Sequence, residues 1–144
     1  MQKYTQEDFE NFEVIDGVKI CPKGNYTEIK SFPSNCRFER GSRFGDETKF
    51  DGWCHFEDEC TFGKKSLFGK RCTFEQGCCF EERCEFRAEC SIGENCYIGK
   101  NCRIDETCYM PGRLTPFEKL LMMAAKESER NRTEVIEVED NFEL

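Results

Sequence analysis

Histidine is almost missing from this 144-residue chain, with His55 its single copy. Chemistry that needs several imidazoles, such as a His-rich metal centre, is thereby excluded. Tryptophan is also present once, as Trp53, and only four prolines interrupt the chain. No apolar run approaches the roughly 20 residues of a membrane-spanning helix, and charged residues make up 35% of the sequence. Cations are in deficit, 21 Lys and Arg against 29 Asp and Glu, and no segment is strongly basic. Direct binding of nucleic acid is therefore not expected. The opening MQKYTQEDFENFEV lacks the basic and then apolar stretches of a secretory leader. The expectation is a cytoplasmic protein that does not associate with membranes.

Cysteine and phenylalanine are abundant, at 12 and 14 copies. A secreted mini-protein would use that many cysteines as disulfides, but their spacing is too regular for stapled loops, so they read as reduced thiols acting as small apolar residues. From Phe32 every sixth residue is bulky and apolar: Phe32, Phe38 and so on to Phe86, then Ile92, Ile98, Ile104 and Met110. Two residues before each lies a small side chain, from Cys36, Ser42 and Thr48 through to Cys108, with Lys30 ahead of Phe32 the one departure. Residues two apart on an extended chain face the same way, so each Cys-x-Phe is a short strand with both side chains inward. The residues left over turn a corner, and glycine after the bulky residue, as at Gly45, Gly63, Gly69, Gly93 and Gly99, suits a bend. Three such hexads close a triangular coil, and stacked coils pair through parallel strands about 4.8 Å apart.

The units SIGENC, YIGKNC and RIDETC, residues 91–108, resemble the hexapeptide-repeat proteins. That resemblance spans roughly residues 30–113 and implies a left-handed parallel β-helix of about five triangular coils. The chain departs from the enzyme members in using Phe where they use Ile, Leu or Val, and Cys where they mix small residues. Cys-Phe hexapeptide proteins of phage and prophage type look most similar.

The segments on either side read as caps for the ends of an all-β solenoid. Residues 1–29 form an N-terminal cap: Thr5 with Asp8 marks a short helix start carrying Phe9 and Phe12, and Asp16-Gly17 marks a hairpin turn. Residues 30–113 are the repeat. Thr115, Pro116 and Glu118 signal the start of a C-terminal amphipathic helix over 114–131, with Phe117, Leu120, Leu121 and Ala124 on one stripe. Residues 132–144 are an acidic tail.

Charge bears on what such a protein could bind. The repeat is nearly neutral, 14 basic against 15 acidic residues, while residues 1–29 carry 3 against 6 and residues 114–144 carry 4 against 8. Imitation of duplex DNA along the solenoid is disfavoured by that balance. Candidate contact residues are the aromatics Trp53, Tyr97 and Tyr109 and the tail acids Glu134, Glu137, Glu139 and Asp140. Cys79, Tyr97, Thr61 and Arg43 fall 18 residues apart and should share one face. His55 is outward between Cys54 and Phe56, where a base could face a partner subunit, but no loop interrupts the hexads to build a pocket. Metal binding is not expected, because the hexad puts successive thiols on different sides of the coil and leaves no paired chelate. Cys78 should point inward and Cys79 outward.

The resulting expectation is a non-catalytic binding protein without a cofactor. The phage-type resemblance implies an inhibitor of a bacterial defence system, for example an anti-CRISPR protein, that occludes a host protein or nucleoprotein complex such as a defence nuclease. An acyltransferase using acetyl-CoA with His55 as base, and a structural or assembly protein, are the alternatives. A second copy of the chain is a further candidate partner.

Overall fold

The structure, a computed structural model, describes residues 1–111 and position 124. The expected helix over 114–131 and the acidic tail, position 124 apart, lie outside the described residues. Residues Met1–Gly112 form one compact unit. It is a parallel β-solenoid in which each coil contributes one short strand to each of three sheets.

The first sheet holds Cys36–Phe38, His55–Phe56, Thr73–Phe74 and Ser91–Ile92, and Tyr109 bridges onto Ser91. The second holds Arg43–Phe44, Thr61–Phe62, Cys79–Phe80 and Tyr97–Ile98. The third holds Ser31–Phe32, Lys49–Phe50, Leu67–Phe68, Glu85–Phe86 and Arg103–Ile104. Register advances by 18 residues per coil, as in Arg37↔His55 and Thr73↔His55. The hexad therefore becomes three columns of inward rings. Rings one coil apart stack nearly parallel, Phe62 on Phe80 at 4.8 Å and 4°. Rings on neighbouring sheets meet edge to face, Phe56 and Phe62 at 4.9 Å and 87°. Each such pair adds about 0.5–1.5 kcal/mol beyond its burial.

The small inward slot is filled in two chemically distinct ways. Ser42, Thr48 and Ser66 turn their hydroxyls to a carbonyl three residues back, at 2.8–3.0 Å. Thiols mostly reach across to the preceding coil instead, Cys84 to the Gly63 carbonyl and Cys90 to that of Gly69. Cys78 is fully buried and Cys79 half-buried, so the adjacent pair points apart as the alternation requires.

The corners correct one sequence expectation. The turning residue is the one before the small slot, and it takes a left-handed backbone at every corner from Asn35 to Asn101. Its amide then donates to the next coil, as Trp53 does to the Lys70 carbonyl at 2.9 Å. The glycines after the bulky residue serve a different purpose, close approach. A Cβ on Gly63 would lie 2.5 Å from the backbone of Gly45 and Asp46 in the coil below.

The N-terminal cap forms as its signals indicate. Helix α1 (Gln6–Glu10) carries a capping box, the Thr5 hydroxyl accepting from the Asp8 amide at 3.2 Å while the Asp8 carboxylate accepts from the Thr5 amide at 2.8 Å. Strands β1 (Val14–Ile15) and β2 (Val18–Cys21) pair antiparallel across a turn with Asp16 and Gly17 at positive φ. Phe9 seals the end of the stack edge-on to Phe32 at 5.2 Å. The repeat also reaches further back than Phe32. Tyr26 lies one hexad earlier, fully buried and stacked on Phe44 at 5.4 Å; its hydroxyl donates to the Pro22 carbonyl, and burial drives its pKa well above the usual tyrosine range. No helix among the described residues is long and apolar enough to cross a membrane.

Candidate functional site

The exposed side of the first sheet carries one outward column: Arg37, His55, Thr73, Ser91 and Tyr109. The side chain two residues after each strand's outward position faces the same way, so Glu57 and Glu75 stand beside this column one coil up. Arg37 pairs with Glu57 at 3.0 Å, and His55 Nε2 lies 2.6 Å from Glu75 Oε2. These pairs are solvated and each contributes at most about 1 kcal/mol. Their effect is to hold the side chains of the face in one arrangement.

One edge of this sheet is a corner where carboxylates gather. Glu39, Glu57, Asp58, Glu59, Glu75 and Glu94 lie along it in successive coils, with Arg40 bound to Glu59 at 3.1 Å, Arg37 to Glu57 at 3.0 Å and the Lys23 side chain against Gly41 at its lower end. The corner after the second sheet is balanced, its acids Asp46, Glu47, Glu81 and Glu82 facing Lys64, Lys65, Arg83 and Lys100. Composition made the solenoid nearly neutral; the 18-residue register sorts its charge to one edge. A hexad search does not see this, because neighbours along the edge are three hexads apart. Reading every eighteenth residue would have found it.

The opposite edge carries Trp53. Its ring is 52% exposed although its backbone is left-handed at φ 65°, a conformation that costs an ordinary L residue about 1–2 kcal/mol. Asn35, one coil below in the same corner, occupies this conformation with a residue that tolerates it. The Arg71 guanidinium lies 4.9 Å over the Trp53 ring and binds Glu89 at 3.2 Å. Trp53, Arg71 and Glu89 thus form a fixed column across three coils, with the indole presented to solvent.

Of the aromatics expected to make contacts, the structure brings two to this side of the molecule. Tyr109 is 65% exposed on the outward column and Trp53 borders it. Tyr97 is on the second sheet, in register with Cys79, above Thr61 and Arg43 as the 18-residue spacing requires. It does not join Trp53 and Tyr109, and burial raises its pKa. Glu134, Glu137, Glu139 and Asp140 lie outside the described residues. No three His, Cys, Asp or Glu side chains among the described residues converge as a metal chelate. No known protein family, no curated protein and no solved structure matches the chain.

Proposed function

We propose that the chain is a non-catalytic binding scaffold that occludes the surface of a partner protein with its first sheet and the two edges of that sheet. The observation that carries this reading is the sorting of charge and aromatics onto one rigid face, carboxylates along one edge and the Trp53 indole on the other. Sheet residues bonded on both sides are preorganised, so little ordering entropy opposes binding. Exposed Trp and Tyr are the residue types that dominate interface energies. The carboxylate edge selects a partner with a basic groove. The resemblance to phage-type Cys-Phe repeats directs the proposal to an inhibitor of a bacterial defence system of the anti-CRISPR kind, acting on a host protein or nucleoprotein complex in the cytoplasm.

Affinity capture of the tagged chain from bacterial lysate, with and without nuclease treatment, tests this directly. A stoichiometric partner that survives nuclease treatment and is lost from Trp53→Ala and Glu57→Lys variants supports it. A partner retained equally by both variants, or none recovered at all, refutes this face as the binding surface. The 2.6 Å contact of His55 with Glu75 favours a second reading, since a carboxylate that orients an imidazole is part of base catalysis. An acetyl-CoA-dependent activity abolished by His55→Ala would establish that reading instead.

A further inference from the structure

Packing alone does not require sulfur in the small inward slot. Ser42, Thr48 and Ser66 occupy the same slot fully buried, each with a satisfied hydroxyl. Every other such slot from Cys36 to Cys108 is cysteine. The register sorts these thiols into three columns along the coil axis: Cys36, Cys54, Cys72, Cys90 and Cys108; Cys60, Cys78 and Cys96 above Ser42; Cys84 and Cys102 above Ser66. Within each column the thiols run uninterrupted to the last described coil.

Neighbouring sulfurs in a column converge on the same groups. Cys36 and Cys54 both donate to the Pro33 carbonyl at 3.4 Å, and Cys54 and Cys72 both reach the Asp51 carbonyl, at 3.3 and 3.6 Å. Side chains one coil apart are related by translation along the stack, which separates their Cβ atoms by about 4.8 Å. A disulfide requires a Cβ separation of about 3.5–4.5 Å. The columns therefore place thiols in contact without the geometry to close on one another.

A soft cation that prefers two-coordinate linear geometry has the opposite demand. It holds two thiolate sulfurs apart by roughly one coil rise, and it favours sulfur in a site that excludes water and harder ligands. We infer that the thiol columns form a binding site for soft monovalent d10 cations of the copper(I) and silver(I) class, each held between cysteines of successive coils and entering from the Cys102 and Cys108 end. Those two thiols are half-buried while the column members beneath them are buried, so among the described residues they are the most accessible thiols of their columns. The first cation in a column displaces the protons of two thiols and leaves a bis-thiolate of net charge −1. Each further cation shares a thiolate already present and displaces one more proton, so the charge stays −1. Protons compete with the cation for the sulfurs, since only the thiolate binds, so affinity falls as pH falls. The proposal is independent of the binding face, since every sulfur involved points inward.

The outward Cys79 supplies an internal control, because its register neighbours are Thr61 and Tyr97. The reduced full chain would be titrated anaerobically with copper(I), supplied as its acetonitrile complex, against the chromogenic chelator bathocuproine disulfonate, and the metal count read by native mass spectrometry. Uptake by the folded chain, one cation fewer in each of Cys102→Ser and Cys108→Ser, and an unchanged count in Cys79→Ser are expected. Serine already occupies this slot at Ser66, two coils below Cys102, and circular dichroism checks that the variants fold. Copper left entirely with the chelator overturns the proposal. So does a cation count left unchanged in both end variants, or one that falls in Cys79→Ser.

Discussion

Among the described residues, the inward positions from Phe32 to Ile92 and those from Ile98 to Met110 follow one repeat, yet only the first group is sealed. Phe38, Phe56, Phe68 and Phe80 are fully buried, whereas Ile98, Ile104 and Met110 are only partly so. The inward residues of the last described coils have a stacked neighbour on one side only, among the described residues. In a solenoid, burial comes from the rungs above and below rather than from residue type alone. At the other end Phe9, Phe12, Tyr4 and Tyr26 make an aromatic plug that supplies the missing rung.

The largest expected effect comes from deleting a ring where both neighbours are present. Phe62→Ala removes a ring stacked on Phe44 and Phe80 and is expected to cost about 3–5 kcal/mol. Ile104→Ala in the last coils is expected to cost less than half as much, and chemical denaturation of both variants makes the comparison. Equal losses would mean that the end coil is as tightly packed as the middle.

Close approach gives a smaller contrast of the same kind. An Ala Cβ at position 63 would meet backbone at 2.5 Å, and at position 99 it would meet the Glu81 and Glu82 backbone at 2.7 Å. Gly63→Ala is expected to destabilise by about 1–3 kcal/mol, and Gly99→Ala by less, because among the described residues no further coil is stacked above it to hold it in place. Thermal melts of the two would show the order, and the reverse order would contradict it.

The smallest effect has the opposite sign. Lys65 holds a left-handed backbone at φ 59°, so Lys65→Gly is expected to stabilise by about 0.5–1 kcal/mol. Asn101, at φ 61° in the last coils, is already a residue that tolerates this conformation. Asn101→Gly should change the melting temperature little, and a gain as large as that of Lys65→Gly would show that corner strain is not what separates the two sites.

Much of this architecture was legible because the repeat is local. Alternation of Cys and Phe two residues apart dictates inward strands, and a six-residue period dictates a corner after each. Thr5, Asp8 and Asp16-Gly17 stated the cap by rules that act within four residues. The corner chemistry was misread for a physical reason: glycine signals both left-handed turns and close contacts, and the sequence does not say which. Glu47, Lys65 and Arg71 adopt the left-handed turn without glycine, because each corner amide gains a hydrogen bond to the next coil.

The candidate site was less legible. Trp53 and Tyr109 were recognisable as exposed aromatics by their place in the hexad, but their lying on one side, three coils apart, and the absence of Tyr97 from it, follow from which strand joins which sheet.

The sequence by itself determined the solenoid, its inward residues and its coil length, since these depend on alternation and period along the chain. Only the tertiary structure decided the carboxylate edge, the Trp53–Arg71–Glu89 column and the thiol columns. Each is made of residues 18 apart that become neighbours only when one coil settles on another.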